Sequence, residues 1–182
     1  MKRALVLAVC FVCMWFGSAL AEKVQVQLSD EFSLHEILVR YNMYCRNNID
    51  DSESYKYMVN ESPSRVDLHI MDNTTTYSTQ GLQDVMVLAA VNGGGKVSTI
   101  VIIAPPSMEK LMNGLYTYRL LFALDPKSEF NKEFVIKKVA EAIGGNTVAY
   151  YYSQTTNRYY SIAHRTTANG GNMTLIEAFV DK

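Results

Sequence analysis

The sequence predicts an α+β domain, a mostly antiparallel sheet with about three helices packed on one face. The main observation is the order of the predicted elements: a strand, a helix, several strands, two helices and three final strands. Consecutive strands without helices between them are typical of antiparallel sheets. The composition agrees, since 48% hydrophobic and 19% charged residues is ordinary for a globular protein.

The first 21 residues have the pattern of a cleaved secretory signal. Lys2 and Arg3 precede an apolar run over 4–16, and Ala19 and Ala21 occupy the −3 and −1 positions of a cleavage site. We therefore expect residues 22–182 to form a single exported domain, periplasmic or secreted. Removal of the signal lowers the formal charge from −1 to −3, which disfavours nucleic acid as a partner. No later stretch is apolar and long enough to be a transmembrane segment.

A short strand and a well-marked helix open the predicted domain. Hydrophobic and polar residues alternate over 24–28, as in a strand with one buried face. Ser33 and Glu36 then form the sequence pattern of a capping box. The helix that follows has an apolar face with helical spacing, formed by Leu34, Ile37, Leu38, Tyr41 and Cys45.

The middle of the chain is predicted to be rich in strands. Val66, Leu68 and Ile70 alternate with polar residues, which predicts a half-buried strand over 65–71. A polar strand over 74–79 is expected at the outside of the sheet. Two apolar strands, 84–91 and 97–104, are expected at its centre, joined by a glycine-rich turn at 92–96.

Two helices and three strands complete the prediction. Pro105 and Pro106 end the preceding strand, and Ser107 can cap a helix that runs to about Ala123. A third helix is expected over 129–143, followed by two glycines. The last strands are expected at 147–153, 158–166 and 173–180.

No constellation of residues predicts catalysis, a metal or a cofactor. Cys45 is the one cysteine left after signal removal, and it lies at the end of a helix on its apolar face, where a reactive thiolate is disfavoured. Asp67 and His69 share a strand face and could supply two metal ligands, but no third ligand is marked. Glu177, an acid inside an apolar strand, is expected to pair with a lysine or arginine across the sheet.

Tyrosine is the feature that points to binding. Five of the 12 tyrosines lie in the predicted hairpin 148–163. With a turn at 154–157, one face carries Tyr151, Arg158, Tyr160 and His164, and it is the more polar face. We therefore predict that it is exposed and contacts a ligand or partner, since tyrosine combines apolar area with a polar group.

These observations favour an exported binding or accessory domain without catalytic activity. Its partner would be a protein, a glycan or a small molecule. Two alternatives are open: a cell-envelope hydrolase that uses scattered acids with His69 or His164, and a homo-oligomer assembled through a sheet edge or Cys45. Glycosylation sequence patterns occur at Asn60, Asn73 and Asn172.

Overall fold

A computed structural model describes residues 23–47, 54–81, 84–108, 110–127, 135–137, 148–167 and 170–182. The predicted signal over 1–21 lies outside these ranges. Most of the predicted third helix also lies outside them, and residues 135–137 are helical. Two α-helices have described boundaries, α1 (Leu34–Asn47) and α2 (Lys110–Leu124), and a 3₁₀ turn covers Ser54–Tyr57.

Eight strands of the described chain form one antiparallel sheet, so the class is α+β and mainly β. Seven of them lie in the order β2-β3-β4-β5-β8-β7-β6, and β1 also pairs with β8. The strands are β1 (Lys23–Val26), β2 (Ser64–Arg65), β3 (Thr74–Gln80), β4 (Met86–Asn92), β5 (Val97–Ala104), β6 (Val148–Ser153), β7 (Arg158–Thr166) and β8 (Asn172–Asp181).

The long strand β8 holds the sheet together. One edge pairs with β7, and the other edge is shared by two strands in succession. Residues 172–177 pair with β5, and residues 178–181 pair with β1. The first strand of the domain therefore lies beside its last strand and continues the line of β5.

The predicted capping box begins α1. The Ser33 backbone N–H donates to the Glu36 carboxylate over 2.7 Å, and the Glu36 N–H lies 3.4 Å from the Ser33 hydroxyl oxygen. These contacts satisfy helix N–H groups that have no partner within the helix. The predicted apolar face of α1 is confirmed, because its five residues, from Leu34 to Cys45, are all buried.

The glycine-rich hairpin between β4 and β5 is also confirmed. Gly95 has a φ of 76°, a conformation that favours glycine. The Asn92 side-chain oxygen accepts hydrogen bonds from the N–H groups of Gly94 and Lys96, each over 3.0 Å. Nearly all residues of β5 are buried, as expected of a central strand.

The prediction of a strand over 65–71 is wrong for every residue after Arg65. β2 ends at Arg65, and after a hydrogen bond from the Val66 N–H to the Thr76 oxygen the described chain leaves the sheet ladder. The alternation reports burial rather than strand pairing, because Ile70 is buried while its neighbours are more exposed. The segment packs its apolar residues on one face of β4 and β5.

The buried apolar side chains of the described residues form two clusters. The larger cluster joins the buried residues of α1 and α2 to alternate residues of the strands, such as Ile100, Ile162 and Ile176. The smaller cluster contains Leu88, Val101 and Leu175 under the segment around Ile70. The smaller cluster includes Ala163 of β7 and Leu175 of β8, but it does not include Tyr152, Tyr159 or Phe179, which belong to the surface described next.

Candidate binding surface

The predicted register of the β6–β7 hairpin is confirmed. Ser153 pairs with Arg158, Tyr152 with Tyr159 and Tyr151 with Tyr160. The predicted orientation, in contrast, is wrong. All four residues expected on the exposed face are buried, with exposed fractions of 6% for Tyr151, 7% for Arg158, 0% for Tyr160 and 1% for His164.

Distant partners explain why the more polar face is the buried one. Arg158 forms an ion pair with Asp30, and the Ser153 hydroxyl donates to Asp125. The Tyr160 hydroxyl donates to the Leu28 carbonyl over 3.3 Å. Polar groups can be buried when they are hydrogen-bonded, so the polarity of this face does not require water.

The opposite face of the hairpin is the exposed one, and here it is called the tyrosine face. It consists of Tyr150, Tyr152, Tyr159 and Phe179. Tyr150 is 40% exposed and Tyr152 is 47% exposed. Tyr152, Tyr159 and Phe179 lie opposite one another on β6, β7 and β8, and the rings of Tyr152 and Tyr159 are 4.8 Å apart. The surface is therefore a continuous aromatic patch.

Charged side chains border the tyrosine face. Lys23 lies on β1 with its Nζ 3.4 Å from the centre of the Tyr159 ring, and it forms an ion pair with Asp181. The Tyr159 hydroxyl donates to Asp181 over 3.2 Å. The hydrogen bond with Asp181 raises the pKa of Lys23 and lowers that of Asp181. The patch thus has an aromatic centre and a charged rim.

Glu177 lies at the inner border of the same face. It is opposite Ser161 on β7 and Thr99 on β5, and only 9% of it is exposed. The expected lysine or arginine partner is wrong, because the Gln25 amide donates to the Glu177 carboxylate over 3.0 Å. Burial raises the pKa of Glu177 above its ordinary value of 4.5, and the hydrogen bond from Gln25 offsets this rise only in part.

The raised pKa of Glu177 predicts a pH-dependent stability difference from the Glu177→Gln variant. Below the unfolded-state pKa near 4.5 Glu177 is protonated and its stabilising contribution is complete. This contribution is lost as the pH rises through the higher folded-state pKa. Relative to the variant, the native protein should therefore lose stability between pH 4 and pH 8. Urea unfolding of both proteins at several pH values measures this change. A native protein that becomes more stable relative to the variant as the pH rises would contradict the assignment.

A small polar cavity of about 270 Å³ includes in its lining Arg158, one of the residues predicted to contact a ligand. Three segments converge on it: the connection between β1 and α1, the C-terminal end of α2 and the β6–β7 turn. The described lining is Ser29, Asp30, Glu31, Phe32, Leu124, Asp125, Pro126, Lys127, Thr155, Thr156 and Arg158.

A larger cavity of about 690 Å³ lies between α1 and the C-terminal end of α2. Its described lining is mainly apolar and also includes the polar residues His35, Glu36, Arg40 and Asn47. The His35 ring nitrogen Nδ1 is 2.9 Å from the Glu61 carbonyl oxygen. His35 is therefore placed by a contact outside this cavity.

The other residues weighed for chemistry are separated in the structure. His69 is exposed and contacts Asp72 over 2.9 Å. His164 is buried and its Nδ1 lies 2.8 Å from the Thr174 hydroxyl. Cys45 is a buried thiol, as expected. Within the described ranges, no three His, Cys, Asp or Glu residues form a group that could hold a metal ion.

Comparison with protein families, curated protein sequences and solved structures gives no match to this chain. Among the helices that the structure describes, none combines the length and apolar character needed to cross a membrane.

Proposed function

We propose that the chain is an exported binding module that contacts a protein or a glycan through the tyrosine face. The observation that carries the proposal is the pair of half-exposed rings, Tyr150 and Tyr152, beside Tyr159 in one aromatic patch. Contiguous exposed apolar area is unusual on monomeric proteins and marks interaction sites. Tyrosine is also enriched among the residues that dominate binding energy.

Export is supported by the signal pattern over residues 1–21. The proposal includes the arrangement in which the helices cover one face of the sheet. That arrangement leaves the opposite face of β6, β7 and β8 available to a partner. The polar rim formed by Lys23, Asp181 and Gln25 would then surround the aromatic centre of the contact, as in other interfaces.

The double variant Tyr150→Ala and Tyr152→Ala should weaken partner binding about tenfold or more. Its stability should fall by about 1–2 kcal/mol, because each ring is about half buried and Tyr152 contacts Tyr159. The probes are an array of cell-envelope oligosaccharides and the separated proteins of the exported fraction. Affinity for each binder is then measured with the purified domain by biolayer interferometry.

Two control variants make this test specific. Replacing both tyrosines with phenylalanine retains the rings and should retain most of the affinity. Met43→Ala removes a 50% exposed apolar side chain from α1 and should leave the affinity unchanged. Equal affinities of the native protein and the double alanine variant for every binder would show that another surface makes the contact.

A further inference from the structure

The polar cavity beside the β6–β7 turn contains a buried acid without a matching base. Asp125 lines the cavity and is 2% exposed. One carboxylate oxygen accepts the hydrogen bond from the Ser153 hydroxyl. No lysine or arginine of the described chain forms an ion pair with Asp125, and Arg158 at the same cavity is paired with Asp30. A buried carboxylate is costly unless a cation or further donors compensate for it.

The end of α2 adds to the negative potential at this position. Asp125 directly follows the last residue of α2, and its N–H donates to the Leu121 carbonyl over 3.0 Å. The C-terminal end of a helix carries a partial negative charge and favours cations. The described lining also contains three acids, Asp30, Glu31 and Asp125, against two bases, Lys127 and Arg158. Both features favour a positively charged ligand group.

We infer that this cavity binds a small compound with a primary ammonium group, for which Asp125 is the counter-ion. An ammonium group brings three donors and a positive charge, which complement the free lone pairs of a carboxylate. The size fits, because about 270 Å³ is below the range of about 300–1,000 Å³ typical of drug-sized ligands. The Thr155 and Thr156 hydroxyls and Lys127 would receive the polar remainder of the compound.

The inference is independent of the tyrosine face. The cavity opens between Asp30, Asp125 and the β6–β7 turn, and its described lining includes none of Tyr150, Tyr152 and Tyr159. Loss of ammonium binding would therefore leave the proposed partner surface unchanged, and the reverse also holds.

Four probes of similar size test the chemistry by calorimetry and thermal shift on the whole domain. Propylamine carries the ammonium alone, L-alanine is a zwitterion, N-acetyl-L-alanine lacks the ammonium, and propionate carries only a negative charge. We expect binding by propylamine, by L-alanine or by both, and none by the other two. A preference between the two binders distinguishes a simple amine from an amino acid as the natural class of ligand. Binding of N-acetyl-L-alanine or propionate, or of none of the four, would overturn the inference.

Two variants test the site. Asp125→Asn keeps the shape of the side chain and removes its charge. This variant should lower the affinity for the probe that binds by about tenfold or more. Thr155 is exposed at the cavity, so Thr155→Trp should block entry without disturbing the core, and it tests the site even if Asp125→Asn fails to fold. Asp84→Asn, an exposed acid in a left-handed conformation that asparagine also adopts, is the matched control and should bind normally. Undiminished binding by a folded Asp125 variant, or by the Thr155 variant, contradicts the assignment.

Discussion

Replacing Asn42 with alanine should lower the free energy of unfolding by about 3 kcal/mol. Asn42 is 1% exposed on α1 and makes three hydrogen bonds. Its amide nitrogen donates to the Val59 carbonyl over 2.7 Å and to the Glu61 carboxylate over 2.9 Å, and its oxygen accepts from the Val59 N–H over 2.9 Å. Alanine leaves the polar backbone groups of the buried Val59 without these partners, which costs their full desolvation.

Thermal and urea unfolding measure the effect of the Asn42 change. For a domain of this size, about 3 kcal/mol corresponds to a drop of roughly 6–12 °C in Tm. Asn47→Ala is the matched control, because Asn47 is exposed at the end of the same helix. It should change the stability by no more than about 0.5 kcal/mol. A loss below about 1 kcal/mol for Asn42→Ala would show that these hydrogen bonds do not hold α1 to the segment around Val59.

Ser153→Ala should destabilise the protein by about 2 kcal/mol. The Ser153 hydroxyl donates to the buried Asp125 carboxylate and accepts from the Thr156 N–H over 3.2 Å. Its removal leaves a buried negative charge without its described hydrogen-bond donor. The loss should be much smaller when Asp125 is already asparagine, because the charge that needs the hydroxyl is then absent.

A double-mutant cycle with Ser153→Ala and Asp125→Asn measures this coupling from four unfolding curves. We expect a coupling energy of at least about 1 kcal/mol. Thr155→Ala, an exposed change in the same turn, serves as the control and should have little effect. Additive effects of the two changes would mean that the contact between Ser153 and Asp125 contributes nothing to stability.

Local sequence patterns predicted the parts of the fold that depend on neighbouring residues. The capping box of Ser33 and Glu36 and the glycine-rich turn between β4 and β5 each require only a few adjacent residues. The hairpin register was predicted for the same reason, since the turn at 154–157 fixes which residues of β6 and β7 are opposite.

The orientation of the tyrosine hairpin depends on residues far away in sequence. Arg158 is buried because Asp30, 128 residues earlier, pairs with it, and Ser153 is buried beside Asp125. A rule that places the more polar face outward could not include these partners. The alternation of Tyr150 to Ser153 was therefore informative about the two faces and misleading about which face is exposed.

Two further differences have the same origin. Alternating residues around Ile70 showed the burial of that segment, but strand pairing also needs a neighbour with free backbone groups. The partner of Glu177 was expected to be cationic, whereas β1 brings the neutral Gln25 beside it. Sequence order alone did not predict that β1 continues the line of β5 along β8.

Residue-level hydroxyl-radical footprinting tests the orientation of the hairpin most directly. We expect rapid oxidation of Tyr150 and Tyr152, which are 40% and 47% exposed, and protection of Tyr151 and Tyr160, which are 6% and 0% exposed. Fragmentation of the hairpin peptides by mass spectrometry separates the four residues. Rapid oxidation of Tyr151 and Tyr160 with protection of Tyr150 and Tyr152 would show that the hairpin has the opposite orientation, and the face with Tyr151 and Tyr160 would again be the candidate surface.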